Sequence, residues 1–142
     1  MRGKEELSRL SERTGQGWQN QRPDGPLIWL HAVSVGESIA ARTLADALLQ
    51  RSQDCTILIT TNTVTAAAEI AKAAQKWQGR CTHSYQPLDH KKWVDRFLTY
   101  WRPDCAVFLE SDFWPMLITQ AHAHSIPVIF ASAQLSPHSL AK

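Results

Sequence analysis

Leu27-Ile28-Trp29-Leu30-His31-Ala32-Val33-Ser34-Val35-Gly36-Glu37-Ser38 is the stretch that decides how this chain folds. Its first six residues are almost wholly apolar, the pattern of a strand buried on both faces. A Ser-Val-Gly turn follows, and a carboxylate stands just before an apolar-periodic helix. In an open α/β sheet such a junction lies outside the carboxyl end of a strand, where ligands bind.

The same alternation continues downstream. Ala40, Ala41, Leu44, Ala45, Leu48 and Leu49 form the stripe of a helix over residues 39–49 that lies on a sheet. A second strand is expected at residues 56–61, where Ile57, Leu58 and Ile59 run unbroken, followed by the Thr-rich turn 60–65 and an Ala-rich helix to about Trp77. A weaker strand is expected at 82–85. Trp93, Val94, Phe97, Leu98 and Trp101 mark one face of a third helix. A strand at 105–109, a helix at 113–124 and a strand at 127–131 complete the series. Strands alternating with helices of this length indicate βαβ units and a parallel sheet, hence an α/β, Rossmann-like fold with flanking helices. Upstream, residues 4–13 read as a short helix stopped by Gly15 and Gly17, and a polar loop rich in Gly, Pro, Asn and Gln leads to the first strand. The chain divides into a basic helix and loop, residues 1–26, and a Rossmann-like domain, residues 27–142.

At 142 residues the chain has room for one sizeable core but hardly for two. A net charge of +2 is too small to argue for a nucleic-acid partner. Only the first segment is locally basic, through Arg2, Lys4, Arg9 and Arg13, with Glu5, Glu6 and Glu12 diluting it. That segment reads as a solvated amphipathic helix or as a contact with an anionic membrane surface. Cys55, Cys81 and Cys105 are far apart and odd in number, which points to reduced thiols and a cytosolic setting. No apolar run approaches the roughly 20 residues that span a bilayer, and no signal-peptide core is present.

Two carboxylates are candidate catalytic groups. Ser34-Val35-Gly36-Glu37 fits the Ser-x-x-Glu capping box, in which the Glu side chain folds back onto the cap residue's amide. The same Glu37, at a strand's carboxyl end beside a glycine that lets a substrate approach the backbone, is placed to act as a general base. Glu110-Ser111-Asp112-Phe113-Trp114-Pro115 ends another expected strand. Ser111 or Asp112 can cap the helix behind it, with Pro115 in its first turn, but capping leaves Glu110 without a structural job. The two acids could converge on one crevice, with Glu110 orienting a substrate or a basic side chain. The loop 60–65 offers hydroxyls and helix-start amides to an anion, and Thr63 or Thr65 can equally be a plain cap. His31 is expected to be buried with one hydrogen bond. His122 and His124, two apart on a helix, make a poor metal pair. The absence of HExxH, metal-type Cys/His spacing, Walker A and GxGxxG sequences speaks against zinc, P-loop and nicotinamide chemistry. The six tryptophans mostly fall on helix faces and read as core.

Taken in order, the blocks LIWLHAVSVGES, ITTNTVTAAA, YQPLD, FLTYWRPD, ESDFWPMLI and ASAQLSPHS resemble the N-terminal half of the bacterial 3-deoxy-D-manno-octulosonic acid (Kdo) transferases. The resemblance implies a GT-B architecture, in which an N-terminal Rossmann-like domain holds the lipid A precursor and a C-terminal one binds CMP-Kdo. It implies that Glu37 is the general base of an inverting transfer in lipopolysaccharide assembly and that Glu110 supports the site. Ser34, Gly36, Thr61, Thr63, Asp112 and Trp114 are then expected around the substrate, without a metal or other cofactor. The implied setting is the cytoplasmic face of the inner membrane, with residues 1–26 as a juxtamembrane start. Asp112 stands where the family usually has Glu, Met116 where it has Asn, and Ser132, Gln134 and His138 where it has Asn, Arg and a basic residue. Loss of an Arg removes a fixed, bidentate contact to phosphate or carboxylate, so the grip of that last loop is in question.

The membrane-anchoring helix and donor domain usual in the family are absent from these residues, and Ser136-Pro137-His138-Ser139 closes the chain with no final helix. The chain therefore reads as a fragment expected to be inactive by itself. The competing reading is a non-catalytic lipid- or partner-binding module left by truncation. An in-frame second βα domain beyond Lys142 would favour the enzyme, and a stop would favour the module. A flavodoxin-like regulatory domain is a weaker third option, because no phosphoacceptor Asp ends the first strand.

Overall fold

The structure, a computed structural model, describes residues 7–18, 21–77, 79–109 and 115–131. Five strands, β1 (Leu27–His31), β2 (Thr56–Thr61), β3 (Cys81–Tyr85), β4 (Cys105–Phe108) and β5 (Val128–Phe130), form one sheet. All the pairings are parallel, in the order β3-β2-β1-β4-β5. Helices α1 (Val35–Arg51), α2 (Val64–Lys76), α3 (Lys91–Trp101) and α4 (Pro115–Ala123) alternate with the strands, and a 3-10 helix, Leu7–Thr14, precedes them. The expected α/β, Rossmann-like architecture is the one observed.

Side-chain alternation along the strands divides the core into two layers. Leu30, Ile57, Ile59 and Val107 face Ala41, Ala45, Leu49, Ile70 and Ala73 of α1 and α2. The small alanines let those helices lie close to the sheet. On the other face Leu27, Trp29, Leu58, Ala106 and Phe108 meet Val94, Phe97, Leu98 and Trp101 of α3, with Leu117 and Ala121 of α4. Trp29 is fully buried, with its ring 5.0 Å from Phe97 and 5.3 Å from Phe108. Burying an aromatic of this size contributes on the order of 3 kcal/mol.

Element positions differ from expectation in instructive ways. Helix α1 begins at Val35 rather than near residue 39, because Ser34 caps it and the first turn carries no apolar stripe. The third strand is a full member of the sheet, in register with β2 from Ile57↔Cys81 to Thr61↔Tyr85. The N-terminal segment is corrected most. It is a 3-10 helix that packs on β3 and α3, not a solvated helix. Glu12 within it is 4% exposed, accepts the Tyr85 N–H at 2.9 Å, and is forked by Arg9 at 2.8 and 2.9 Å. Arg9 also donates to the His83 carbonyl at 3.1 Å. These two side chains occupy ladder positions along an edge strand that would otherwise present free backbone groups. Arg2 and Lys4 lie outside the described residues. No helix among the described residues is long and apolar enough to cross a membrane.

Candidate functional site

From β1 the chain moves outward to β2 and β3, and then returns to place β4 on the other side of β1. The carboxyl ends of β1 and β4 thus border the sheet's topological switch point, where an α/β fold opens a crevice. Beyond β1, the Ala32 N–H bonds to the Thr60 carbonyl (3.0 Å), and beyond β4 the Leu109 N–H bonds to the His31 carbonyl (2.9 Å). Those bonds extend the ladder to the lip of the crevice. Glu110 follows Leu109 directly, but with Ser111, Asp112 and Trp114 it lies outside the described residues, as do Ser132, Gln134 and Ser136–Ser139.

Glu37 sits on that lip. Ser34 adopts an extended backbone (φ −84°, ψ 166°), and its hydroxyl accepts the Glu37 N–H at 3.1 Å. In return, Glu37 Oε1 accepts the N–H groups of Val33 (3.0 Å) and Ser34 (3.3 Å). The capping box read from the sequence is therefore formed. It engages one carboxylate oxygen only. Oε2 makes no hydrogen bond among the described residues, and the cap fixes where it stands. Gly36 lies within the helix, and a Cβ placed there would meet only Ser34 Oγ, at 4.0 Å. Neither the backbone conformation nor a neighbour among the described residues requires glycine at this position. Val35 and Ile39, one helical turn apart beside Glu37, are 37% and 42% exposed.

Below the lip most polar side chains bond within the fold, although the buried His83 Nδ1 has no hydrogen-bond partner among the described residues. His31 is fully buried, with Nδ1 2.6 Å from Thr60 Oγ1, as expected. The same hydroxyl accepts the Trp29 indole N–H at 2.8 Å. Thr61 is also buried, its hydroxyl 2.8 Å from His83 Nε2. Burial, and then the Arg9 charge, pushes the His83 imidazole down to about 3, so it is neutral near pH 7. Thr63 caps α2 by accepting the Ala66 N–H at 3.1 Å. Of the residues expected around a substrate, Ser34, Thr61 and Thr63 therefore spend their hydroxyls on the fold, and Gly36 borders open space.

Several residues around the crevice escaped the sequence reading. Arg13 donates to Asn62 Oδ1 (2.5 Å), to the Asn62 carbonyl (2.6 Å) and to the Gln86 carbonyl (3.4 Å). Asp89 accepts the Met116 N–H at 3.0 Å, serving the first turn of α4 from another loop. The partners are 49, 73 and 27 residues apart, so no local pattern announces them. Gln86 is 2% exposed, and its side-chain Oε1 has no hydrogen-bond partner among the described residues. His124 bonds to Asp95 (3.1 Å), while His122 is exposed. No group of three His, Cys, Asp or Glu among the described residues could hold a metal ion. A groove of about 440 Å³ runs elsewhere, along the outer edge of β3, lined by Arg9, Glu12, Trp18, Ala71, Cys81 and His83. It belongs to the docked N-terminal segment and is separated from Glu37 by β2.

Residues 8–142 match the sequence family described as 3-deoxy-D-manno-octulosonic-acid transferase (kdotransferase). Among curated proteins, the chain is 39% identical over 139 residues to a probable mitochondrial 3-deoxy-D-manno-octulosonic acid transferase of Arabidopsis thaliana, covering 98% of this chain and 30% of that one. It is 36% identical over 131 residues to the 3-deoxy-D-manno-octulosonic acid transferase of Haemophilus influenzae (92% and 30%). With that of Rickettsia bellii it shares 33% identity over 137 residues (96% and 32%). No solved structure matches the chain. It spans about a third of the length of these curated relatives. By a match over nearly its whole length, the chain belongs to the 3-deoxy-D-manno-octulosonic-acid transferase family.

Proposed function

We propose that this chain is the acceptor-binding, base-carrying half of an inverting Kdo transferase of GT-B architecture, acting in lipopolysaccharide synthesis at the cytoplasmic face of the inner membrane. The observation that carries the reading is the Glu37 carboxylate at the carboxyl end of β1. One of its oxygens is held by two backbone amides, and the other makes no hydrogen bond among the described residues. In this reading Glu37 Oε2 takes the proton from a hydroxyl of the lipid A precursor. The freed oxygen attacks the anomeric carbon of Kdo from the face opposite CMP. The bond from that carbon to the CMP phosphate oxygen breaks, and CMP leaves with the electron pair. A nucleotide-activated sugar already has a good leaving group, so the proposal needs no metal or further cofactor.

The other residues take lesser roles. Glu110 is assigned a supporting acid role and Asp112 and Trp114 acceptor contacts by the family resemblance alone, and Gly36 leaves room beside the base. Ser34, Thr61 and Thr63 shape the lip through the bonds they make within the fold. Val35 and Ile39 offer apolar surface suited to a lipid-linked acceptor. Contact with anionic headgroups falls to Arg2 and Lys4, since Arg9 and Arg13 are engaged within the fold. CMP-Kdo is bound by a second domain.

The test is a graft in which this chain replaces the matching residues of the Haemophilus influenzae relative. Transfer of Kdo from CMP-Kdo to a lipid A precursor above the level of that relative without its N-terminal third supports the reading. A folded graft that binds the precursor but transfers nothing favours a binding module instead.

A further inference from the structure

We propose that Arg13 is a positioning residue for the carboxyl-edge crevice, setting the β2–α2 and β3–α3 loops and, through Asp89, the start of α4. The inference rests on the functional reading above for its substrate readout only.

Arg13 reaches out from a 3-10 helix that is itself anchored. Arg9 and Glu12 fasten it to the edge of β3, at the His83 carbonyl and the Tyr85 N–H. That fixes the base from which the next residue reaches. From there the Arg13 guanidinium extends across the ends of two strands, to both acceptors of Asn62 and to the Gln86 carbonyl. Its own carbonyl accepts the Leu88 N–H at 2.8 Å. One residue thus grips the first turn after β2 and the first turn after β3. Beyond the Thr61 carbonyl, which accepts the Gln86 N–H at 2.8 Å, sheet hydrogen bonding between these two loops ends. A planar fork with several fixed donors suits three acceptors on two segments, which a single ammonium group cannot serve together.

The second loop passes the constraint onward. Asp89 follows Leu88 and holds the Met116 N–H. Met116 lies in the first turn of helix α4, so this bond ties the start of α4 to the β3–α3 loop. Asp95 of α3 steadies the other end of α4, bonding Gln120 (2.5 Å) and His124 (3.1 Å). Positional constraint therefore runs from Arg13 through residues 86–89 to Met116, joining the β2–α2 and β3–α3 loops to the start of α4.

Amide hydrogen exchange on this chain tests the constraint, and grafted-enzyme kinetics test its consequence. In R13A, exchange at Gln86, Ala66 and Met116 is expected to quicken by roughly tenfold or more through local opening. D89A should quicken Met116 alone, and R9A should chiefly loosen the 3-10 helix. In an active graft, R13A should raise the acceptor KM about tenfold with kcat little changed, since misplaced binding groups cost in this range. R13K should recover part of that loss. Unchanged exchange at those three amides overturns the proposal. So does an active R13A graft whose KM equals that of the parent. If the parent graft is itself inactive, the functional reading fails and the exchange result alone decides the positioning role.

Discussion

Replacing Gly36 by alanine separates what the fold needs from what a ligand needs. Gly36 lies in the first turn of α1, outside the positive-φ region, and the added Cβ would meet only Ser34 Oγ at 4.0 Å. No strain or clash opposes the change, while the unfolded chain loses conformational freedom. Gly36→Ala should therefore stabilise the protein by about 0.4–1 kcal/mol. At this chain length that raises the thermal midpoint by roughly 1–4 °C. The same methyl group occupies the space beside Glu37 where an acceptor is proposed to lie. In the graft, the acceptor KM should rise by about tenfold or more, because small displacements of a reacting group are costly. Thermal and urea unfolding of the chain, together with initial rates of the graft, read both effects. A loss of stability would refute the backbone reasoning. A more stable protein with unchanged kinetics would refute the close approach of substrate to Gly36.

Three further outcomes follow from the geometry beneath the crevice. Thr60→Val removes the shared partner of Trp29 Nε1 and His31 Nδ1, both fully buried, and should cost about 2–4 kcal/mol by urea unfolding, whereas Thr60→Ser should cost less than half of that. His83 is held down to about 3, first by burial and then by Arg9, so the unfolded chain binds its proton more readily than the folded one. Its contribution is complete above about pH 6.5 and fades as pH falls toward 3, by up to roughly 1.4 kcal/mol per pH unit; urea midpoints at pH 7, 6 and 5 should show this slope, and His83→Gln should flatten it. Burial, with Asp46 adding to it, pushes the Cys81 thiol up to about 12, and burial also raises Cys55. Both should resist a thiol reagent at pH 8 in the native state and react in urea; rapid native labelling of Cys81 would contradict the packing.

Sequence patterns disclosed those features whose causes are local. The unbroken apolar runs at β1 and β2 announce strands buried on both faces, and the sheet places both at its centre. The capping box was legible for the same reason, since all its partners lie within five residues. Its length was not: Val35, Gly36 and Glu37 carry no apolar stripe, so the periodicity starts a turn late. The N-terminal segment misled because its charges suggest solvent, whereas β3 absorbs Arg9 and Glu12 and the turns after β2 and β3 absorb Arg13. Long-range bonds such as Arg13 to Asn62 and Asp89 to Met116 leave no trace in local spacing. They became visible only when the sheet order put those loops side by side.

Two roles have been assigned to Glu37, and one substitution divides them. Glutamine can keep the cap, because its amide oxygen accepts the Val33 and Ser34 N–H groups as the carboxylate does, but it cannot take a proton. The most direct measurement is therefore kcat for Kdo transfer by the grafted Glu37→Gln enzyme, with its unfolding free energy measured alongside. A fall in kcat of about 10²–10⁴ with stability within roughly 0.5 kcal/mol of the parent is predicted. Near-parental turnover by a stable Glu37→Gln graft would contradict the account and leave Glu37 as a helix cap.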